Sequence, residues 1–296
     1  MAGKEFDYVV LGASGHVGTA LLDCVDKEAK VLALVHSHKG VAQVASRGVE
    51  ATMVNICDTD ALRSAFQRGR RAFLLNPPAD PASDTNAEEL RTAALIAAGL
   101  TDSRLEKVVA LSTYGAQPGD SIGDLSTLYE FEELVRRSGI PSSINRGAYY
   151  FTNLDMMLQS AQAGTITTPF PPHLEIPMVA AADLAKAAAE RLVSGTSDVG
   201  IRFVEGPARY TFTDVAAAFS NALGHVVLVE EMARAEIENS FCNAGFSPAA
   251  ARSYARMTTT SIDGGFEVPD DPWRGTVELE DYVANLVYQQ SKLNNV

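Results

Sequence analysis

One stretch near the N-terminus constrains this chain more than any other. Tyr8-Val9-Val10-Leu11 runs straight into Gly12, and Gly12, Gly15 and Gly18 follow at the spacing G-x-x-G-x-x-G. The apolar run reads as a buried parallel strand, and Thr19 to Val25 carries apolar residues at helical spacing. Strand, glycine turn and helix together make a phosphate cradle. Gly12 permits the tight turn, Gly15 lets the backbone approach a pyrophosphate, and Gly18 lets the helix pack on its strand. The helix N-terminus faces the anion. The expectation is a dinucleotide-binding α/β domain.

The pattern continues along the first half. Residues 30–35, 50–56, 72–76, 108–112 and 142–145 read as strands. Residues 40–47, 60–68, 84–98 and 125–138 read as helices, with Asp58-Thr59-Asp60 capping the second of these. Such βαβ alternation specifies a doubly wound parallel sheet. The second half is less regular. It offers a helix over 148–163, short strands at 174–179, 199–204 and 226–229, and a helix over 183–193 with Asp183 near its start. Thr211-Phe212-Thr213-Asp214 caps a helix over 214–223 that Gly224 closes, and helices follow at 233–244, 248–259 and 276–291. Without a linker or repeat, residues 1–150 form a Rossmann-type dinucleotide-binding domain. Residues 151–296 form a smaller α/β substrate lobe interleaved with it.

Charge narrows the partners. The formal net charge of −13 over 296 residues repels nucleic acid and anionic membranes as general partners. Arg68-Gly69-Arg70-Arg71 is short and reads as a solvated turn. Cys24, Cys57 and Cys242 are odd in number and far apart, as reduced structural thiols of a cytoplasmic protein would be. The chain begins with a charged run and a strand rather than a signal peptide. No apolar run reaches the roughly 20 residues of a membrane span, and no Asp/His/Cys grouping has metal spacing.

The end of the second strand bears on the cofactor. A preference for NAD calls for an acidic residue there, about 20 residues past the glycines. This chain has Val35-His36-Ser37-His38-Lys39, in which His36 and Lys39 can face a 2′-phosphate. Ser112, Thr113 and Tyr114 close the fifth strand, where open sheets place ligands, and Tyr149 and Tyr150 can stack on a flat ring. His173 reads as an exposed loop histidine and Asp183 as an N-cap.

The glycine turn, the 35–39 loop, Leu75-Asn76-Pro77-Pro78, Leu111-Ser112-Thr113-Tyr114-Gly115 and Asn145-Arg146-Gly147-Ala148-Tyr149-Tyr150 occur in the order seen in NmrA-like proteins. These are atypical members of the short-chain dehydrogenase/reductase superfamily. The chain resembles the branch with NADPH-dependent quinone oxidoreductases and triphenylmethane reductases. The resemblance implies NADP(H) as cofactor. Gly12, Ala13, Ser14, Gly15, His16 and Val17 would wrap the pyrophosphate, and His36 would stand where relatives carry a phosphate-gripping arginine. Asn55 and Ile56 would border the adenine, and Asn76, Pro77 and Pro78 the nicotinamide ribose. Arg146, Gly147, Ala148, Tyr149, Tyr150 and Phe151 would close over nicotinamide and substrate.

One departure matters. Ordinary relatives use a Tyr-x-x-x-Lys pair in which the lysine lowers the tyrosine pKa. In register with the family that pair falls on Asp124 and Leu128, neither of which can play that part, and Tyr129-x-x-x-Glu133 reads as an exposed helix face. The expected function is reduction of a small conjugated or aromatic acceptor, such as a quinone, enone or dye. Tyr149, Tyr150 and Thr113 are the candidate catalytic residues, and the assembly leaves room for a homodimer. The alternatives are a non-enzymatic NADP(H)-sensing regulator and a pathway-specific reductase or isomerase of secondary metabolism.

Overall fold

A computed structural model describes residues 4–294. The chain alternates β1 (Phe6–Leu11), α1 (His16–Cys24), β2 (Val31–Val35), α2 (His38–Ala45), β3 (Glu50–Met53), α3 (Thr59–Arg68) and β4 (Gly69–Leu74). It continues with α4 (Thr85–Gly99), β5 (Lys107–Thr113), α5 (Asp124–Arg137) and β6 (Ser142–Gly147). The strands pair in parallel in the order β3-β2-β1-β4-β5-β6. From β1 the chain winds to β2 and β3 on one side, then crosses back to β4 on the other. That reversal opens a crevice at the carboxyl ends of β1 and β4.

The sheet sorts its side chains by alternation. Val10, Phe73 and Val109 face a core shared with α1 and α2, while Val9, Ala72, Leu74 and Val108 face one shared with α3, α4 and α5. The second half enters the same sheet. After β7 (Tyr149–Tyr150), α6 (Leu158–Gln162), β8 (Thr165–Thr168) and β9 (Ile176–Val179), α7 (Ala181–Val193) packs Leu184 and Ala188 into the core of α1. Then β10 (Gly200–Glu205) and, later, β13 (Trp273–Arg274) extend the sheet beyond β6.

Between them lie β11 (Arg209–Tyr210), α8 (Phe212–Leu223), β12 (Leu228–Glu231), α9 (Ile237–Asn243) and α10 (Pro248–Ile262), and α11 (Leu279–Asn294) follows. Phe151, Phe170, Met178, Phe212, Phe219 and Leu279 build a separate core for this lobe. The Thr211–Asp214 capping box forms, and Gly224 ends α8 at φ +75°.

Several expectations are corrected. Residues 148–163 do not form one helix: Tyr149 and Tyr150 pair with Met178 and Val179, so a strand takes the first two residues. A 3₁₀ turn takes Phe151–Met157, and only Leu158–Gln162 is α-helical. The strands β8, β11 and β13 have no periodic signature because they are two to four residues long. Arg68 to Arg71 is not a solvated turn. Arg68 pairs with Glu5 and Glu50, Arg70 with Glu106, and the Arg71 guanidinium caps the carbonyls of Leu192 and Ser194. The three cysteines are free thiols, in line with the reading as reduced, and all three are exposed. Among the described residues, no helix is long and apolar enough to cross a membrane.

Candidate functional site

The glycine turn ends β1 at the crevice. Gly12 sits at φ +73°, which side chains rarely adopt. A Cβ on Gly18 would lie 2.2 Å from the Gly12 carbonyl oxygen, so helix and turn touch backbone to backbone. Gly15 differs. Its φ of −78° suits any residue, and a Cβ there would meet only the Gly12 oxygen, at 3.4 Å. Nothing within the protein requires glycine at that position; a group held against the turn would. Helix α1 starts at His16 with Gly15 as N-cap and no side-chain cap, so its end is left to an anion. The residues present therefore fit a dinucleotide pyrophosphate.

Helix α2 begins against the same corner. Ser37 caps it by accepting from the Gly40 N–H at 3.1 Å. Gln43 donates to the Ser14 carbonyl at 3.2 Å, and a Cβ on Gly40 would be 3.0 Å from Ser14 Oγ. His36 and Lys39 flank this helix start, both exposed and without hydrogen bond or ion pair. Farther along, Asn55 is exposed and Ile56 half-buried, and a groove of about 260 Å³ is lined by Ile56, Pro77, Pro78, Ala79 and Thr92. A larger cavity of about 380 Å³, lined by Thr101, Asp102 and Arg104 among others, opens at the opposite edge of the sheet, away from the turn.

Several candidate side chains are committed elsewhere. Asn76 spends both ends of its amide on α4, donating to the Glu89 carbonyl at 2.9 Å and accepting from Thr92 Oγ1 at 2.8 Å. It thereby fixes the Pro77-Pro78 bend. Arg146 is buried and forks onto Glu132, with both contacts at 2.8 Å, so only its backbone can face a ligand. Ser112 donates to the same Glu132 at 2.6 Å, and Tyr114 to buried Glu205 at 2.8 Å. Burial and Glu205 push the Tyr114 phenol above its ordinary range. Of the three residues closing β5, only Thr113 keeps a free hydroxyl. Phe151 is fully buried between Tyr210 and Tyr282 in the lobe core.

The tyrosine pair splits between two cores. Tyr149 packs edge-on against Phe170 and Phe212, and burial pushes its phenol up to about 12. Tyr150 lies over Gly147, whose missing Cβ would be 2.9 Å from its ring; burial and then Asp124 raise it also. Both shifts run opposite to what a tyrosine proton donor needs. Asp183 is not an N-cap: Ala180 holds that place, and buried Asp183 accepts from the Thr276 and Val277 N–H groups. His173 is exposed beside Thr213. Among the described residues, no group of three or more metal-ligating side chains comes together.

Sequence reasoning passed over Glu89. It lies buried on α4, accepting from the Ala79 N–H at 3.2 Å and from Thr127 Oγ1 at 2.9 Å. Burial raises its carboxyl despite those two donors. Asp124, in the first turn of α5, lies close enough to feel it: burial, then Glu89, lifts the Asp124 carboxyl to about 7. The spacing Thr85, Glu89, Thr92, Ile96 is a buried stripe of α4, and a charge on an otherwise inward-facing stripe was the available signal.

The sequence profile of the NmrA-like family matches residues 7–245. The chain belongs to the NmrA-like family. Among solved structures this NmrA-like chain resembles the triphenylmethane reductase of Citrobacter sp., with TM-score 0.79, 20% identity, and coverage of 96% of this chain and 100% of that one. It also resembles an NADPH-dependent quinone oxidoreductase of Escherichia coli, with TM-score 0.76, 19% identity and coverage of 94% and 99%. A third is NmrA, a negative transcriptional regulator, with TM-score 0.66, 17% identity and coverage of 99% and 98%. Each of these three proteins has also been solved with NADP or its reduced form bound. At such identities the likeness shows the fold. No curated protein matches the sequence.

Proposed function

We propose that this NmrA-like protein is an NADPH-dependent reductase of small conjugated acceptors. The observation that carries the reading is the open glycine turn: Gly15 is free of any protein contact that would demand glycine, with unpaired His36 and Lys39 beside it. Gly12 to Val17 would hold the pyrophosphate, His36 and Lys39 the 2′-phosphate, Asn55 and Ile56 the adenine, and Pro77 and Pro78 the nicotinamide ribose. The cofactor, when bound, supplies hydride. Gly147, Ala148 and Tyr150 wall the reacting end, and the Thr113 hydroxyl can orient an acceptor oxygen. Tyr150 offers a flat apolar face, worth ~0.5–1.5 kcal/mol in an aromatic pair. Its raised phenol, like that of Tyr149, is poorly suited to protonate an alkoxide, which supports conjugated acceptors over saturated ketones.

The deciding experiment is NADPH oxidation against quinones, enones, triarylmethane dyes and saturated ketones, beside calorimetric titration of NADPH and NADH. Turnover of conjugated acceptors with little of saturated ketones is expected. Tight NADPH binding with no turnover of any acceptor would replace the reductase with a dinucleotide-sensing regulator.

A further inference from the structure

A proline carries no backbone N–H, so Pro77 and Pro78 leave the loop after β4 without a main-chain donor for two residues running. The Ala79 N–H is the first donor beyond that gap, and the Asn76 side chain stands just before it. Both end on one residue of α4. Asn76 Nδ2 donates to the Glu89 carbonyl oxygen at 2.9 Å, and the Ala79 N–H donates to Glu89 Oε1 at 3.2 Å. The other carboxyl oxygen, Oε2, accepts from Thr127 Oγ1 of α5 at 2.9 Å. Thr92, three residues farther along α4, donates to Asn76 Oδ1 at 2.8 Å and closes the circuit. Glu89 is 3% exposed and Thr127 is fully buried, so water does not stand in for these bonds.

The residue type follows from this task. A loop N–H and a hydroxyl from a second helix need two acceptor atoms on one side chain, and an ionised carboxylate accepts at both oxygens. Burying a carboxyl is costly. Its two side-chain donors are neutral and offset only part of that cost, so burial still raises the Glu89 carboxyl. What the carboxyl secures is the position of the loop. That loop walls the cofactor crevice: the groove of about 260 Å³ is lined by Pro77, Pro78 and Ala79, by Thr92 of α4, and by Ile56 beyond β3. Glu89 stands behind this wall.

We infer that Glu89 is a positioning residue for the nicotinamide half of the cofactor, holding the Pro77-Pro78 wall from both ends without touching the ligand. The inference rests on the reading above, in which this wall borders the nicotinamide ribose. The adenine half is assigned to other residues: the glycine turn, His36, Lys39, Asn55 and Ile56. None of these is among the hydrogen-bond partners of Glu89. A change at Glu89 should therefore reach one half of the ligand and spare the other.

That selectivity supplies the test. Calorimetric titrations of NADPH and of adenosine 2′,5′-bisphosphate, which lacks the nicotinamide half, are compared in the wild type, Glu89→Met, Glu89→Gln and Thr127→Val. Methionine fills the space but cannot take the Ala79 N–H. Glutamine can accept from Ala79 with its oxygen and donate to Thr127 with its nitrogen. NADPH should bind Glu89→Met about tenfold more weakly, because the loop N–H is left without its buried acceptor. The bisphosphate should bind that variant as it binds the wild type. Glu89→Gln should hold NADPH affinity within about twofold of the wild type, and Thr127→Val, which frees the carboxyl but keeps the loop contact, should fall between. Equal weakening of both ligands in Glu89→Met, or no weakening of NADPH, overturns the inference and leaves the cofactor site standing. Failure of the wild type to bind NADPH overturns the reductase reading and the inference with it. If Glu89→Met does not fold, Thr127→Val decides on the same criterion: a loss confined to NADPH supports the inference, and a shared or absent loss overturns it.

Discussion

The carboxyl edge of the sheet has two characters. On the β5, β6 and β10 side, buried acids are fully paired: Glu132 holds Arg146, Arg136 and Ser112, and Glu205 holds Arg274, Arg209 and Tyr114. Toward β1, β2 and the starts of α4 and α5, polar groups have no protein partner: the α1 N-terminus, exposed His36 and Lys39, half-buried Asp124 and the buried Thr85 hydroxyl. A buried charge with all its partners fixes the fold; one without them is free to meet something that is not protein.

The largest effects should come from breaking the paired side. Glu132→Ala strands buried Arg146 without its carboxylate, which costs ~3–5 kcal/mol, measurable by urea unfolding. NADPH binding per folded molecule should be little changed. A loss under 1 kcal/mol would show that the fork contributes little to the fold.

Asp124 tests the opposite side through pH. Its folded pKa, about 7, stands above the unfolded value near 3.9. The folded state therefore holds the proton more tightly. The associated stability is fully present below pH ~4 and is lost as pH rises through ~7, amounting to roughly 4 kcal/mol at most. Asp124→Asn should remove that slope and be more stable than wild type at pH 8. Parallel stability profiles between pH 4 and 8 would mean that the site is wetter than its packing suggests.

Much of this contrast was legible in the sequence, and the reasons for the gaps are physical. The glycine turn could be read because its strand, its glycines and its helix are contiguous. The division of Ser112, Thr113 and Tyr114 could not, since it depends on Glu132 and Glu205, 20 and 91 residues away. Arg146 likewise reads as a ligand residue until Glu132 is seen beneath it. Residues 148–163 carry helical spacing, but pairing of Tyr149 and Tyr150 with β9 overrides propensity. Glu88 and Glu89 are neighbours of one type; Glu88 pairs with exposed Arg91 while Glu89 is buried.

The glycine turn itself separates fold from binding. Gly18→Ala drives a methyl into the Gly12 carbonyl and should destabilise the fold by 1 kcal/mol or more. Gly15→Val meets no such obstacle and should keep the wild-type Tm while weakening NADPH at least tenfold, ~1.4 kcal/mol, by calorimetry. Unchanged affinity in Gly15→Val would place the cofactor elsewhere.

The smallest expected effect belongs to the exposed pair at the start of α2. Lys39 lies on the surface, where solvent screens its charge, so its contact with a 2′-phosphate falls at the low end for charge-assisted bonds, ~1 kcal/mol. Lys39→Ala should reduce the preference for NADPH over NADH about fivefold and leave NADH affinity unchanged, because NADH lacks the phosphate. His36→Ala should act in the same sense. The effect of Lys39→Ala should shrink between 50 and 500 mM salt, whereas the loss caused by Gly15→Val, a steric one, should not. Equal weakening of both cofactors by Lys39→Ala would mean that the lysine supports α2 and its Ser14 corner rather than the phosphate.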